Sequence, residues 1–138
     1  MSNNFIEQMT YDNEAEMAYI YLTEPNKFAV FTEELPENPE IILDLGKEVP
    51  IVGVELGGES AKKIQSLNSK DKKFTKKTAE NGDEYFSFRF ENKPVCKSIP
   101  YERIVDIHFL FADADCLDLI GIDIFNKNPE YLEYLSDK

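Results

Sequence analysis

The strongest constraint on how this chain can fold is a pattern that occurs twice. IVGVEL at 51–56 and LIGIDI at 119–124 share one order: an apolar pair, a glycine, an apolar residue, an acid and an apolar residue. A shift of 68 positions superposes the two, and the same shift superposes much of the rest without a gap. Residues 17–22 fall on 85–90, and in both the even positions (Ala18, Ile20, Leu22; Phe86, Phe88, Phe90) are apolar at period two, the mark of a half-buried strand. Residues 41–43 fall on 109–111, with loops of equal length before the glycine strands. Ile64 and Leu67 fall on Leu132 and Leu135 in stretches of helical spacing; Ile6 pairs with Phe74, Asn13 with Asn81 and Glu16 with Glu84. One region disagrees: turn-rich 36–40 lies against strand-like 104–108, so there the second copy has lengthened its strand or the alignment shifts.

Each copy reads as five strands and a closing helix. In the first they fall near 5–10, 17–23, 27–33, 40–45, 51–56 and 59–67; in the second, near 73–78, 84–91, 94–98, 103–112, 117–125 and 128–136. The Asn81-Gly82 pair signals a tight hairpin, and Asn128-Pro129 reads as a cap followed by a first-turn proline. A unit of about 60 residues buries only about 60% of its unfolded surface, so neither copy is comfortable alone. The expectation is an α+β fold: two tandem copies of a small antiparallel β-meander plus helix, packed as a pseudo-twofold single domain over 1–138. The repeats span about 5–67 and 73–135, joined by a lysine-rich linker at 68–72.

Composition narrows the function classes. The 138 residues carry 27 acids and 15 bases, a net charge of −12. Residues 1–61 hold 13 acids and 2 bases, residues 62–77 hold 7 lysines and 1 acid, and residues 78–138 hold 13 acids and 6 bases. Such a body repels phosphate backbones and attracts basic partners, so no nucleic-acid partner is expected. The lysine run at 70–77 reads as a solvated linker or a charged edge strand that blocks aggregation. No stretch approaches the roughly 18 apolar residues of a membrane span, and the start has neither the basic flank nor the apolar core of a signal peptide, so no membrane partner and a cytoplasmic location are expected. Cys96 and Cys116 form no metal-binding spacing and read as two buried thiols.

The opening half carries a family pattern. Tyr11-Asp12-Asn13-Glu14-Ala15-Glu16 followed by the alternating strand 17–22, then Ile42-Leu43-Asp44-Leu45, then Gly53-Val54-Glu55 resemble the YuzE-like family of small bacterial proteins over residues 9–64. Glu16 stands where that family usually has Asp, and Pro50 replaces the small residue usual before the glycine strand. The second copy matches by pattern only, with Ala79-Glu80 in place of Tyr-Asp. The resemblance implies a small α+β meander with no established catalytic residues, and some relatives sit beside small toxin-like genes.

Candidate sites are few. Gly53 and Gly121 read as strand glycines that mark a bulge or a close approach. Glu55 and Asp123 share their face and form a possible carboxylate pair across the pseudo-twofold axis, able to hold a metal or share a proton. Asp113, Asp115 and Asp118 lack the glycine and the closing glutamate of a calcium loop and read as an acidic hairpin loop. His108, the one histidine, has no triad around it, and Gly57-Gly58 reads as a turn opening the first helix. The acids of two turns, Asp12, Glu14 and Glu16, then Glu33, Glu34 and Glu37, form the most plausible functional surface. The function expected is a non-enzymatic, acidic protein-binding module, an antitoxin or immunity-type inhibitor of a basic toxin or nuclease, without metal or cofactor, acting as a monomer or homodimer. The alternative is a small-ligand or cation-binding regulatory domain.

Overall fold

The computed structural model describes residues 8–24, 31–102 and 105–136. Ile6, the expected strand start at 5, the start of the third strand at 27 and Ile104 lie outside them. The first copy comprises β1 (Met9–Asp12), β2 (Met17–Tyr21), β3 (Phe31–Leu35), β4 (Asn38–Leu45), β5 (Ile51–Leu56) and α1 (Gly58–Ser66). A 3-10 turn, Ser69–Asp71, leads to the second: β6 (Thr75–Thr78), β7 (Glu84–Arg89), β8 (Lys97–Pro100), β9 (Ile107–Phe111), β10 (Leu119–Ile124) and α2 (Pro129–Leu135). The fold is α+β, with two five-stranded antiparallel sheets of the same order, β1-β2-β5-β4-β3 and β6-β7-β10-β9-β8. In each, a three-strand meander returns its last strand beside the opening hairpin. The repeated glycine strands β5 and β10 are therefore the central strands, which is why five of six residues in one and all six in the other are buried.

Register shows where the copies kept step. β2 pairs with β5 as β7 pairs with β10, at a constant offset of 68: Ala18 faces Leu56 as Phe86 faces Ile124, and Tyr21 faces Gly53 as Arg89 faces Gly121. A one-residue slip there would turn every core side chain outward, which fixes the register. Elsewhere turns have changed length. Five residues join β4 to β5 and seven join β9 to β10, so the equal loops expected from the sequence are corrected. Leu56 faces Ile41 while Ile124 faces Ile107, which moves the offset in these strands from 68 to 66. That two-residue shift explains the mismatch of 36–40 with 104–108. In the first hairpin Met9 faces Ile20. One residue beyond the β6–β7 register, Phe74 lies opposite Phe88, with rings 5.7 Å apart. Met9, rather than Ile6, thus corresponds to Phe74. The helix caps Gly57 and Asn128 are 71 apart, so Ile64 corresponds to Leu135, both buried, and not to Leu132, which is exposed. Solvated turns accept insertions that a central ladder cannot.

Local chemistry fixes the ends. Asn128 accepts from Glu130 N at 2.9 Å, and Pro129 opens α2. Gly82, at φ +93, closes the β6–β7 hairpin, and Gly58, at φ +57, opens α1. Ala18 and Ile20 of β2 and Phe86 and Phe88 of β7 enter the core as the sequence predicts, and α1 packs on β1 and β2. One hydrophobic cluster draws on both copies. Cys116 lies in it, but Cys96, in the irregular stretch before edge strand β8, is exposed, which corrects the expectation of two buried thiols.

The copies also exchange hydrogen bonds at the first residue of each central strand. From α2 the Tyr131 hydroxyl donates to Ile51 O (2.6 Å) and accepts from Ile51 N (3.0 Å). From α1 Lys63 Nζ donates to Leu119 O (2.8 Å), the counterpart of Ile51, and pairs with Glu91 (2.9 Å) and Asp118. Asn38 Nδ2 donates to Cys116 O (2.9 Å), Asn128 Nδ2 to Glu48 O (3.1 Å) and Phe74 N to Gln8 Oε1 (3.0 Å). Tyr131→Phe keeps the ring but strands the buried N–H and C=O of Ile51, at a cost of about 1–3 kcal/mol; urea unfolding should show that loss in the midpoint with an unchanged slope.

Candidate functional site

Each sheet turns one face to the core and the other outward, and the central glycine stands on the outer face. β5 and β10 both carry a bulge at the residue before that glycine, Val52 and Ile120, where the register with the neighbouring strand shifts by one. Both glycines are also crossed by a side chain, so the two roles read from the sequence hold together. A Cβ at Gly53 would lie 2.0 Å from Tyr19 Oη; a Cβ at Gly121 would lie 2.5 Å from Phe88 O and 2.8 Å from Arg89 Cδ. The notch is the same in both copies, and its occupant differs.

In the first copy the occupant is a phenol. Tyr19 donates to Asp44 Oδ2 at 2.6 Å and packs on Tyr21, ring centroids 4.6 Å apart. Asp44 is 8% exposed, and its Oδ1 is buried with no hydrogen-bond partner among the described residues. Burial, then the Asp44 charge, pushes the Glu55 carboxyl above the ordinary glutamate range. Burial and the bond to Asp44 raise the Tyr19 hydroxyl well above the usual phenol value. In the second copy the occupant is a guanidinium. Arg89 Nη1 donates to Asp123 Oδ1 (2.8 Å) and Ser87 Oγ (2.8 Å), and Nη2 to Asp123 Oδ2 (3.5 Å). Leu110 faces Gly121 where Asp44 faces Gly53, so the carboxylate has moved to the central strand itself.

The two acids singled out as a pair are each engaged within their own sheet: Asp123 by Arg89, Glu55 beside Asp44. No group of three or more His, Cys, Asp or Glu side chains that could hold a metal ion occurs among the described residues. His108 Nε2 lies 3.1 Å from Asp106 Oδ1 and Nδ1 3.3 Å from Ser98 Oγ, with its ring edge against Phe125. Asp113 accepts from the backbone N–H of Leu117 (3.1 Å) and Asp118 (3.0 Å), so it folds the loop. The Asp118 carboxyl is held below its usual value by the hydrogen bonds from Lys63 and Lys93.

Of the six surface acids, Asp12 is used locally, accepting from Glu14 N (2.9 Å) and Ala15 N (3.3 Å), and Glu33 accepts from Tyr101 (2.5 Å). Glu14, Glu16, Glu34 and Glu37 are exposed. The two turns lie at the same end of sheet 1, because Asp12 faces Met17, Ala18 faces Leu56, Leu56 faces Ile41 and Leu35 faces Asn38. Sequence reasoning passed over Tyr19, Asp44 and Arg89. Asp44 did leave a signal, as the one charge in the apolar run Ile41-Ile42-Leu43-Asp44-Leu45.

Fold and face together define a duplicated α+β protein whose two copies share a backbone and differ in the chemistry laid over their central glycines. Residues 8–60 match a family described as protein of unknown function, DUF2283. An uncharacterised protein of Bacillus subtilis, YuzE, is 29% identical over 133 residues, 94% of this chain and 98% of the relative. The likeness to YuzE runs through both copies, while the family match covers the first. No solved structure matches.

Gly53→Ala expels Tyr19 from Asp44 and Gly121→Ala presses on the Phe88 carbonyl, each costing about 1–3 kcal/mol; adding Tyr19→Ala to Gly53→Ala should cost less than the sum, a coupling that a double-mutant cycle in urea measures. A raised carboxyl pKa in the folded state means that the fold binds the proton better than the unfolded chain does. Stability from Glu55 is therefore lost as pH rises above the ordinary glutamate value of 4.5. Glu55→Gln should raise Tm at neutral pH, and the gain should vanish below that value.

Proposed function

We propose that the chain is a non-catalytic binding protein that covers a basic surface of a partner protein, as an antitoxin or immunity-type inhibitor does. The observation that carries this reading is the gathering of two acidic turns at one end of sheet 1. Four strand spacings, about 19 Å, separate the two edge strands that bear them. Glu40 and Glu59 stand between, Glu40 at the end of β4 against Gly58 and Glu59 in the first turn of α1. A row of exposed carboxylates steers a cationic partner and speeds encounter more than it deepens affinity, and its effect fades with salt. The likeness to proteins of unknown function leaves the class of partner to this surface and to the net charge of −12. A second reading, a small-ligand or cation-binding regulatory domain, draws on the buried Asp44 Oδ1 beside Glu55, which has no hydrogen-bond partner among the described residues.

The test joins capture to kinetics. The immobilised chain should retain a basic protein from its own cells, with an association rate that falls steeply as NaCl rises. Combined Glu14→Lys, Glu34→Lys and Glu37→Lys changes should slow that association by about tenfold or more. Unfolding should barely shift, since exposed substitutions cost within about 0.5 kcal/mol. A partner that binds the charge-reversed variant as fast as the native chain would sink the reading.

A further inference from the structure

One groove has a different lining from the acidic turns of sheet 1. It runs along the outer face of sheet 2 beside edge strand β6, with a volume of about 530 Å³, within the range of small-ligand sites. Five cations line it: Lys70 and Lys73 from the stretch between α1 and β6, Lys77 from β6, Arg89 from β7 and Lys93 from the loop beyond, against two acids, Asp71 and Glu91. Asp123 and Asp118 engage Arg89 and Lys93, which leaves a small cationic excess on a protein of net charge −12. The register produces it: Thr75 faces Ser87 and Lys77 faces Tyr85, which puts Thr75, Lys77, Ser87 and Arg89 on one face. Lys70 and Lys73 then close the side.

We infer that this groove binds the phosphate chain of a small polyphosphate anion, whether free or carried by a nucleoside triphosphate. Arg89 is already held by Asp123 and Ser87, and Lys93 by Asp118 (3.0 Å), so these two shape a fixed polar wall of N–H donors. Lys70 and Lys77 are exposed and reach the ligand as mobile ammonium donors. Alternate residues on a strand stand about 6.6 Å apart, so Thr75 and Lys77 address more than one phosphate group. Each ammonium–phosphate contact is a charge-assisted hydrogen bond, stronger than a neutral one. The aromatic residues in the lining, Phe88 and Phe90, are 2% and 6% exposed. They offer no open ring for a base to stack on, so the groove reads phosphate and ignores the base. This site shares no lining residue with the six surface acids and does not depend on the protein-binding role.

Calorimetric titration of the full chain at low salt with inorganic tripolyphosphate, ATP and GTP tests the inference. All three should bind with affinities within about threefold of one another, since none is read through a base, and weaken together as NaCl rises. The pair Lys70→Glu and Lys77→Glu should weaken each by about tenfold or more. Lys62→Glu, an exposed change on α1 outside the groove, should leave them unaltered. Circular dichroism on each variant separates loss of the site from loss of the fold. Silence with all three anions, or an equal loss in the Lys62 variant, would overturn the inference. A single-stranded oligonucleotide that binds the native groove more tightly than tripolyphosphate would also overturn it, in favour of a nucleic-acid channel.

Discussion

Everything in this structure hangs on how the central strand of each sheet begins. β2 pairs with β5, and β7 with β10, from the glycine onward; at the bulge before it one further bond remains (Leu22 N to Val52 O, Phe90 N to Ile120 O), and beyond the bulge the strand has run out of that neighbour. The backbone groups left there are buried and must be satisfied. Each copy satisfies the other's: Tyr131 takes both groups of Ile51, and Lys63 takes the carbonyl of Leu119. A half of this size has a marginal core in any case. The missing partner at the strand start makes dependence on the other half chemical as well as hydrophobic.

With the backbone fixed by that exchange, the outer faces were free to diverge. The glycine removes a side chain at the middle of the sheet, and a neighbour from the adjoining strand lies down in the space. A tyrosine there brings a phenol to a buried carboxylate; an arginine two positions further along brings a guanidinium to a carboxylate on the central strand. The same notch produces an acidic, aromatic face on one sheet and a cationic one on the other. Function, on either proposal, belongs to surfaces that only one copy carries.

Much of this was legible in the letters. The alternation in Ala18, Ile20, Leu22 and in Phe86, Phe88, Phe90 fixed two strands and their core faces, because period two is a direct imprint of the pleat. The glycines announced a bulge and a close approach, and Asn128-Pro129 announced a helix start. What failed was register at the periphery. A sliding alignment without gaps cannot see that one turn gained residues while another kept its length, so Ile6 was matched to Phe74 where Met9 belongs, and Leu132 stood in for Leu135. The exposure of Cys96 was hidden because residue type does not reveal that a strand lies at an edge. In the site, the lysine run was visible and Arg89 and Lys93 were not part of it. They join it through the β6–β7 pairing and the loop that follows, a relation absent from linear order.

Lys63 has a further consequence. Two halves that each carry a surplus of acid repel one another wherever they meet, and a pair of separate chains of this kind would need ions from solution to come together. Here α1 delivers an ammonium between Glu91 and Asp118 of the opposite copy, and Lys93 adds a second. The covalent linkage has let the molecule carry a counter-ion of its own across the seam, so its acidic surfaces can remain acidic without costing the contact that makes them a single body.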